Sequence, residues 1–221
     1  ESPGGASLTG IVVSRAGNVY FSNSKHQVHV FVPDGGPVAK NAPADSPGGY
    51  VLVSSIELAA DSFPCGLCLS DDEEQLFVCL SKTNSVAVID VATSAVEHVV
   101  EVGISPFTAR FVAGAPDQLF VTNLGGRRAQ AGERTAPSAG TETPVDERGI
   151  ANTSMVSVID LEQMEVVSEV TAELHPTAMA ILPGKSQQAG TVLITNTNDD
   201  SVTLLDSGSL QSRNQLAKPL L

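Results

Sequence analysis

Apolar residues along this chain fall in short alternating runs, each closed by a cluster of turn-forming residues, a period that predicts strands rather than helices. Laid upon itself, the chain resolves into four aligned units. The first strands read Gly10-Ile-Val-Val-Ser14, Gly66-Leu-Cys-Leu-Ser70, Thr108-Ala-Arg-Phe-Val112 and Ala178-Met-Ala-Ile-Leu182. Second strands follow at Val19-Tyr-Phe-Ser-Asn23, Leu76-Phe-Val-Cys-Leu80, Leu119-Phe-Val-Thr-Asn123 and Val192-Leu-Ile-Thr-Asn196. Third strands read Val28-His-Val-Phe31, Val86-Ala-Val-Ile-Asp90, Val156-Ser-Val-Ile-Asp160 and Val202-Thr-Leu-Leu-Asp206. A weaker fourth strand is clearest at Val96-Glu-His-Val-Val-Glu-Val102 and Val166-Val-Ser-Glu-Val170. Turn chemistry such as Ser70-Asp-Asp and Pro183-Gly-Lys separates them.

Pro64 and Pro106 lie 42 residues apart, the length of a four-stranded propeller blade. Pro106 and Pro176 lie 70 apart, which is one blade plus an insertion of about 28 residues. The fold class is therefore all-β: a β-propeller segment of four four-stranded antiparallel blades. Its expected blades are residues 8–63, 64–105, 106–175 and 176–221, with the insertion at 124–154.

The cycle of proline, apolar strand, Leu119-Phe-Val-Thr-Asn123 and then Val156-Ser-Val-Ile-Asp160 resembles the YVTN-type bacterial β-propeller repeat. The likeness covers nearly the whole chain, with Leu8 standing in place of the leading proline in the first unit. Asn123-Leu-Gly-Gly-Arg-Arg128, with Leu174-His-Pro176, is similar to a subgroup in which the propeller precedes an alkaline-phosphatase-like phosphoesterase domain. That resemblance implies about seven blades, a downstream phosphoesterase partner, and a periplasmic or extracellular setting. Four blades alone would leave two raw edges. The chain, opening on Glu1 rather than Met, is thus expected to be part of a larger ring.

Composition narrows the partners. Lys+Arg 12 against Asp+Glu 25 gives a net charge of −13, which repels nucleic acid and anionic membranes. No apolar run approaches the length needed to span a bilayer. Cys65, Cys68 and Cys79 are too few for a disulfide framework. The spacing of Cys65 and Cys68 leaves redox or metal chemistry open beside the plainer reading of small core fillers.

Blade topology places the second-to-third strand turns and the blade-to-blade connections on one face, together with the insertion. The insertion holds four of the seven arginines: Arg127, Arg128, Arg134 and Arg148, balanced by Glu133, Glu142, Asp146 and Glu147. It reads as a solvated loop. A second reading has Arg127 and Arg128 docking a partner domain or a small anionic ligand through their planar forks. A third puts a metal at Asp146 and Glu147.

His175 lies on a blade connection opening toward that face, as a backbone-bonded loop residue or a ligand contact. Arg110, mid-strand on an innermost strand, should be paired or exposed to the central channel. Asn23, Asn123 and Asn196 end second strands and are expected to cap turns. Asn123, Arg127, Arg128, His175 and Arg110 form the candidate binding set, and no cofactor or metal ligand set is expected.

No G-x-S-x-G elbow, H-E-x-x-H or P-loop occurs. The leading expectation is a non-catalytic binding or scaffold module of a phosphoesterase-linked protein. The alternative is a propeller enzyme, akin to lactone hydrolases or quinoprotein dehydrogenases, using the central funnel.

Overall fold

A computed structural model describes residues 10–35, 49–112, 115–184 and 189–216. Every regular element among them is a strand. The first sheet is β1 (Ile11–Val13), β2 (Val19–Ser22), β3 (Gln27–Pro33) and β4 (Tyr50–Glu57), in that spatial order. The second is β5 (Pro64–Leu69), β6 (Gln75–Leu80), β7 (Ser85–Asp90) and β8 (Val96–Glu101). In the third, β9 (Ile104–Val112), β10 (Ala115–Gly126), β13 (Met155–Asp160) and β14 (Glu165–Thr171) are neighbours. The fourth is β15 (Pro176–Leu182), β16 (Thr191–Asn196), β17 (Ser201–Asp206) and β18 (Ser212–Leu216). All pairings are antiparallel, so the molecule is a run of up-and-down propeller blades.

Alternation along each strand gives every blade two apolar faces, and three seams bury those that face one another. Val28, Val30 and Ile56 of the first blade meet Leu67, Leu76, Val78 and Ile89 of the second. Phe77, Val86 and Val88 of the second meet Ala109, Leu119 and Val121 of the third. Phe120, Val156 and Val158 of the third meet Met179, Val192 and Ile194 of the fourth. Complete burial of such a side chain contributes about 1.5–3 kcal/mol, so the seams are the principal source of stability. Among the described residues no apolar cluster joins the fourth blade to the first.

Close approach at the seams selects glycine. A Cβ on Gly66 would stand 2.4 Å from the Phe107 carbonyl oxygen of the next blade's innermost strand. Cys65, Cys68 and Cys79 are free and buried in the second seam, and burial pushes each thiol up. They are core fillers there, held in the unreactive protonated form.

The insertion is more structured than its composition suggests. Residues Thr135–Ser138 (β11) and Thr141–Pro144 (β12) pair as a hairpin, and Val145 bridges to Ala151. Gly126 anchors its base at φ +72°, where an added Cβ would meet the Thr153 carbonyl oxygen at 1.6 Å. Only glycine fits both the left-handed backbone and that contact. Val145 is buried and Asn84 Nδ2 donates to Thr141 Oγ1 at 2.7 Å, so the hairpin is tied down onto the second blade.

Candidate functional site

Each of the last three blades carries a proline at or near the start of its innermost strand, and the residue before it adopts a left-handed backbone. Phe63 has φ 52°, Ser105 φ 55° and His175 φ 64°. Non-glycine residues held there cost about 1 kcal/mol or more each and persist where their surroundings fix them. The fixing bonds repeat. Ser81 N donates to the Phe63 carbonyl at 3.1 Å, and Thr197 N donates to that of His175 at 3.1 Å. From the preceding blade, Asn84 Oδ1 accepts Ser105 N at 2.9 Å, and Ser154 Oγ accepts His175 N at 3.0 Å.

These three residues line one cavity of about 710 Å³. Its floor continues with Ser81, Lys82 and Asn198 from second-to-third strand turns. The hairpin tip and the segment after it supply the remaining wall, through Ala136, Pro137, Val145 and Ile150. The volume is that of a small-molecule site, and the lining mixes apolar walls with a few polar groups.

The polar groups have definite states. Thr197 Oγ1 donates to the His175 carbonyl at 3.2 Å, so at 2.8 Å it accepts from His175 Nδ1–H. Nε2 of His175 is left as an acceptor. Burial holds this imidazole below its usual pKa, so it is neutral near pH 7. Ser105 is 5% exposed, and its Oγ has no hydrogen-bond partner in the protein. Among the described residues Lys82 pairs with no carboxylate.

Of the five residues singled out from the sequence, only His175 reaches this cavity. Asn123 is fully buried within its blade, where Nδ2 donates to Ser157 Oγ at 2.9 Å, to the Val121 carbonyl at 3.2 Å and to the Met155 carbonyl at 3.5 Å. It is a structural staple and is closed to any ligand. Arg127 is bound in both prongs by Glu133, at 2.8 and 2.6 Å, and that pairing draws the Glu133 carboxyl down to about 2. Arg128 stands 3.9 Å from Glu101, in a separate cleft with Arg127, Glu101 and Glu169. The two carboxylates there oppose an anion.

Arg110 is exposed, and its Nη1 caps two backbone carbonyls, Ala109 at 2.8 Å and Leu67 at 3.3 Å. At the proposed metal position Asp146 is taken by Arg148 at 2.6 Å, and no metal-binding group of three side chains occurs among the described residues. Phe63 and Ser105 escaped the sequence reading. Their signal was present as the position before each leading proline, aligned with His175.

Comparison with known proteins bears on the fold. The chain superposes on hydrazine synthase of Kuenenia stuttgartiensis with a TM-score of 0.62 at 16% identity, covering 98% of this chain and 51% of that one. It superposes on a protein of Bacteroides fragilis, provisionally described as a 6-phosphogluconolactonase, with a TM-score of 0.63 at 14% identity, covering 94% and 53%. The chain thus spans about half the length of these structures. No protein-family model and no curated protein sequence matches it. At such identities the likeness establishes the β-propeller fold.

Proposed function

We propose that this chain is a binding module whose working face carries the insertion, and that it recruits a ligand or partner rather than catalysing a reaction. One observation carries the reading: three successive blades spend strained backbone to bring Phe63, Ser105 and His175 to a single cavity walled by the hairpin. Strain repeated at a cavity is a mark of a binding surface rather than of packing alone. The YVTN-like repeat supports placement in a larger bacterial protein with a downstream phosphoesterase domain. Arg128, whose partner Glu101 is loosely held and largely exposed, is the insertion residue best placed for such a domain.

A lactone-hydrolase-like enzyme is the second reading, favoured by one feature: His175 lines the cavity as a neutral imidazole whose Nδ1 is engaged by Thr197, a state in which it could act as a general base. Amide NMR mapping of the chain with a mixed library of neutral, anionic and cationic fragments separates the two. The binding reading expects perturbations clustered at Phe63, Ser105, Leu124, Ala136 and His175, with every fragment recovered unchanged. Perturbations elsewhere, or none, would overturn it. Turnover of an added lactone, lost in His175→Ala, would instead make the chain an enzyme.

A further inference from the structure

We infer that the cavity takes a small organic carboxylate with an apolar body and a hydroxyl group. This rests on the binding reading and specifies its ligand.

Charge is the first ground. The chain carries 25 acidic residues against 12 basic ones, yet among the described residues no Asp or Glu lines the cavity. Among the described residues the one charged lining group is Lys82. An anion entering there meets a cation and no like charge, whereas a cation meets only repulsion from Lys82.

Unmet hydrogen bonding is the second. The Ser105 hydroxyl is more than nine-tenths buried and unpartnered, a state that costs free energy until an acceptor arrives. A carboxylate oxygen accepts from Ser105 O–H, and the other oxygen accepts from the Lys82 ammonium. His175 presents the opposite need. Its Nδ1–H is committed to Thr197, so Nε2 can only accept, and a ligand hydroxyl supplies the donor. Shape is the third ground. Phe63, Leu124 and Ile150 offer an apolar wall between these polar positions, suited to a ring or short hydrocarbon body.

The probe is 4-hydroxyphenylacetate, compared with tyramine, which keeps the phenol and ring but replaces the carboxylate with an ammonium. Titration of the wild-type chain is followed through the His175 ring signals and the Ser105 amide. The carboxylate should shift both saturably and bind at least about tenfold more tightly than tyramine, the ratio expected for one charge-assisted hydrogen bond. Ser105→Ala and Lys82→Ala should each weaken the carboxylate by about tenfold while leaving the circular dichroism unchanged. The His175 imidazole should titrate at higher pH in the complex, because a nearby anion favours its charged form. Tyramine binding as well as the carboxylate, or carboxylate shifts lying away from the cavity, would overturn the ligand class. If neutral fragments or tyramine occupy the cavity and the carboxylate does not, the ligand class falls and the binding module stands. If nothing occupies it, both fall.

Discussion

Thr122 donates its hydroxyl to the Thr177 carbonyl at 2.8 Å, across the seam between the third and fourth blades. Ser22 holds the same place in the first blade and donates to the Cys65 carbonyl at 2.9 Å. In both cases the acceptor belongs to the residue after the next blade's leading proline. The second blade has Cys79 at this position, packed into the apolar seam. Thr195, the fourth in the series, is exposed and bonds within its own blade. In the first and third blades this residue is thus a bolt to the blade that follows.

Thr122→Val should therefore leave the half-buried Thr177 carbonyl and the buried Thr108 amide without this partner and cost about 1–3 kcal/mol. Thr195→Val, at an exposed residue bonded only within its own blade, should change stability by less than about 0.5 kcal/mol. Urea denaturation of both variants tests this. Equal effects would remove the seam from the explanation.

The asparagine that follows acts inside the blade. Asn196 Nδ2 donates to Thr203 Oγ1 at 2.9 Å, and Asn123 makes the matching bond to Ser157. Leu80 and Ala87 fill the same two places in the second blade with apolar side chains. The repeat was legible in the sequence because strand alternation and turn chemistry are local. What Thr and Asn do within it was not, because their partners lie on another strand or another blade. The same limit explains the binding set: four arginines gathered in one insertion drew the eye, but Glu133 and Asp146, only a few residues away, engage two of them. The cavity residues come from three blades and share no local motif beyond preceding a proline.

The Arg127–Glu133 pair makes a prediction about the insertion. Glu133→Gln should release Arg127 and loosen the segment from 127 to 133, so trypsin should cut after Arg127 faster than in the wild type. The pair should also fail in acid. The folded carboxyl lies near 2 against an ordinary 4.5, so its contribution is complete above about 4.5 and is lost as pH falls toward 2. Mass mapping of early tryptic fragments checks the first, and an NMR pH titration of the Glu133 carboxyl checks the second. An unchanged cleavage rate would show that the hairpin alone holds the insertion.

His29 should govern a milder acid response. Asn23 Oδ1 accepts the amides of Lys25, His26 and Gln27, which turns Nδ2 toward His29 Nε2 at 3.0 Å. Nε2 must accept, so Nδ1–H donates to Ser55 Oγ at 2.8 Å and the ring is neutral. Burial lowers its pKa in the folded state, with Glu57 pulling the other way. A depressed folded value means that the unfolded chain binds the proton first. Stability is therefore full above about pH 6.5, falls as pH drops through the folded value, and levels off below it. His175 adds a shift of the same sign. Thermal melts between pH 7.5 and 5 should show a fall in Tm that His29→Gln reduces. The same slope in both proteins would assign the fall to other groups.

The last prediction concerns the uncovered face of the first blade. Leu67, Leu76, Val78 and Ile89 of the second blade are 0–2% exposed because the first blade covers them. Repeat alignment puts Ile11, Val19, Phe21 and Phe31 at the same positions, where Ile11 is exposed and the other three are only half-buried. Ile11 is 61% exposed and its neighbour Val13 54%. A chain of net charge −13 should stay apart by repulsion, so association would report the apolar face. Light scattering should show concentration-dependent association, and Ile11→Thr/Val13→Thr should suppress it with little loss of stability. Leu67→Thr, at a covered position, should instead cost roughly 2 kcal/mol or more, by burying an unpaired hydroxyl and losing packing. If the double variant destabilises the chain as much as Leu67→Thr does, the first blade's outer face is already covered, and the ring closes on four blades.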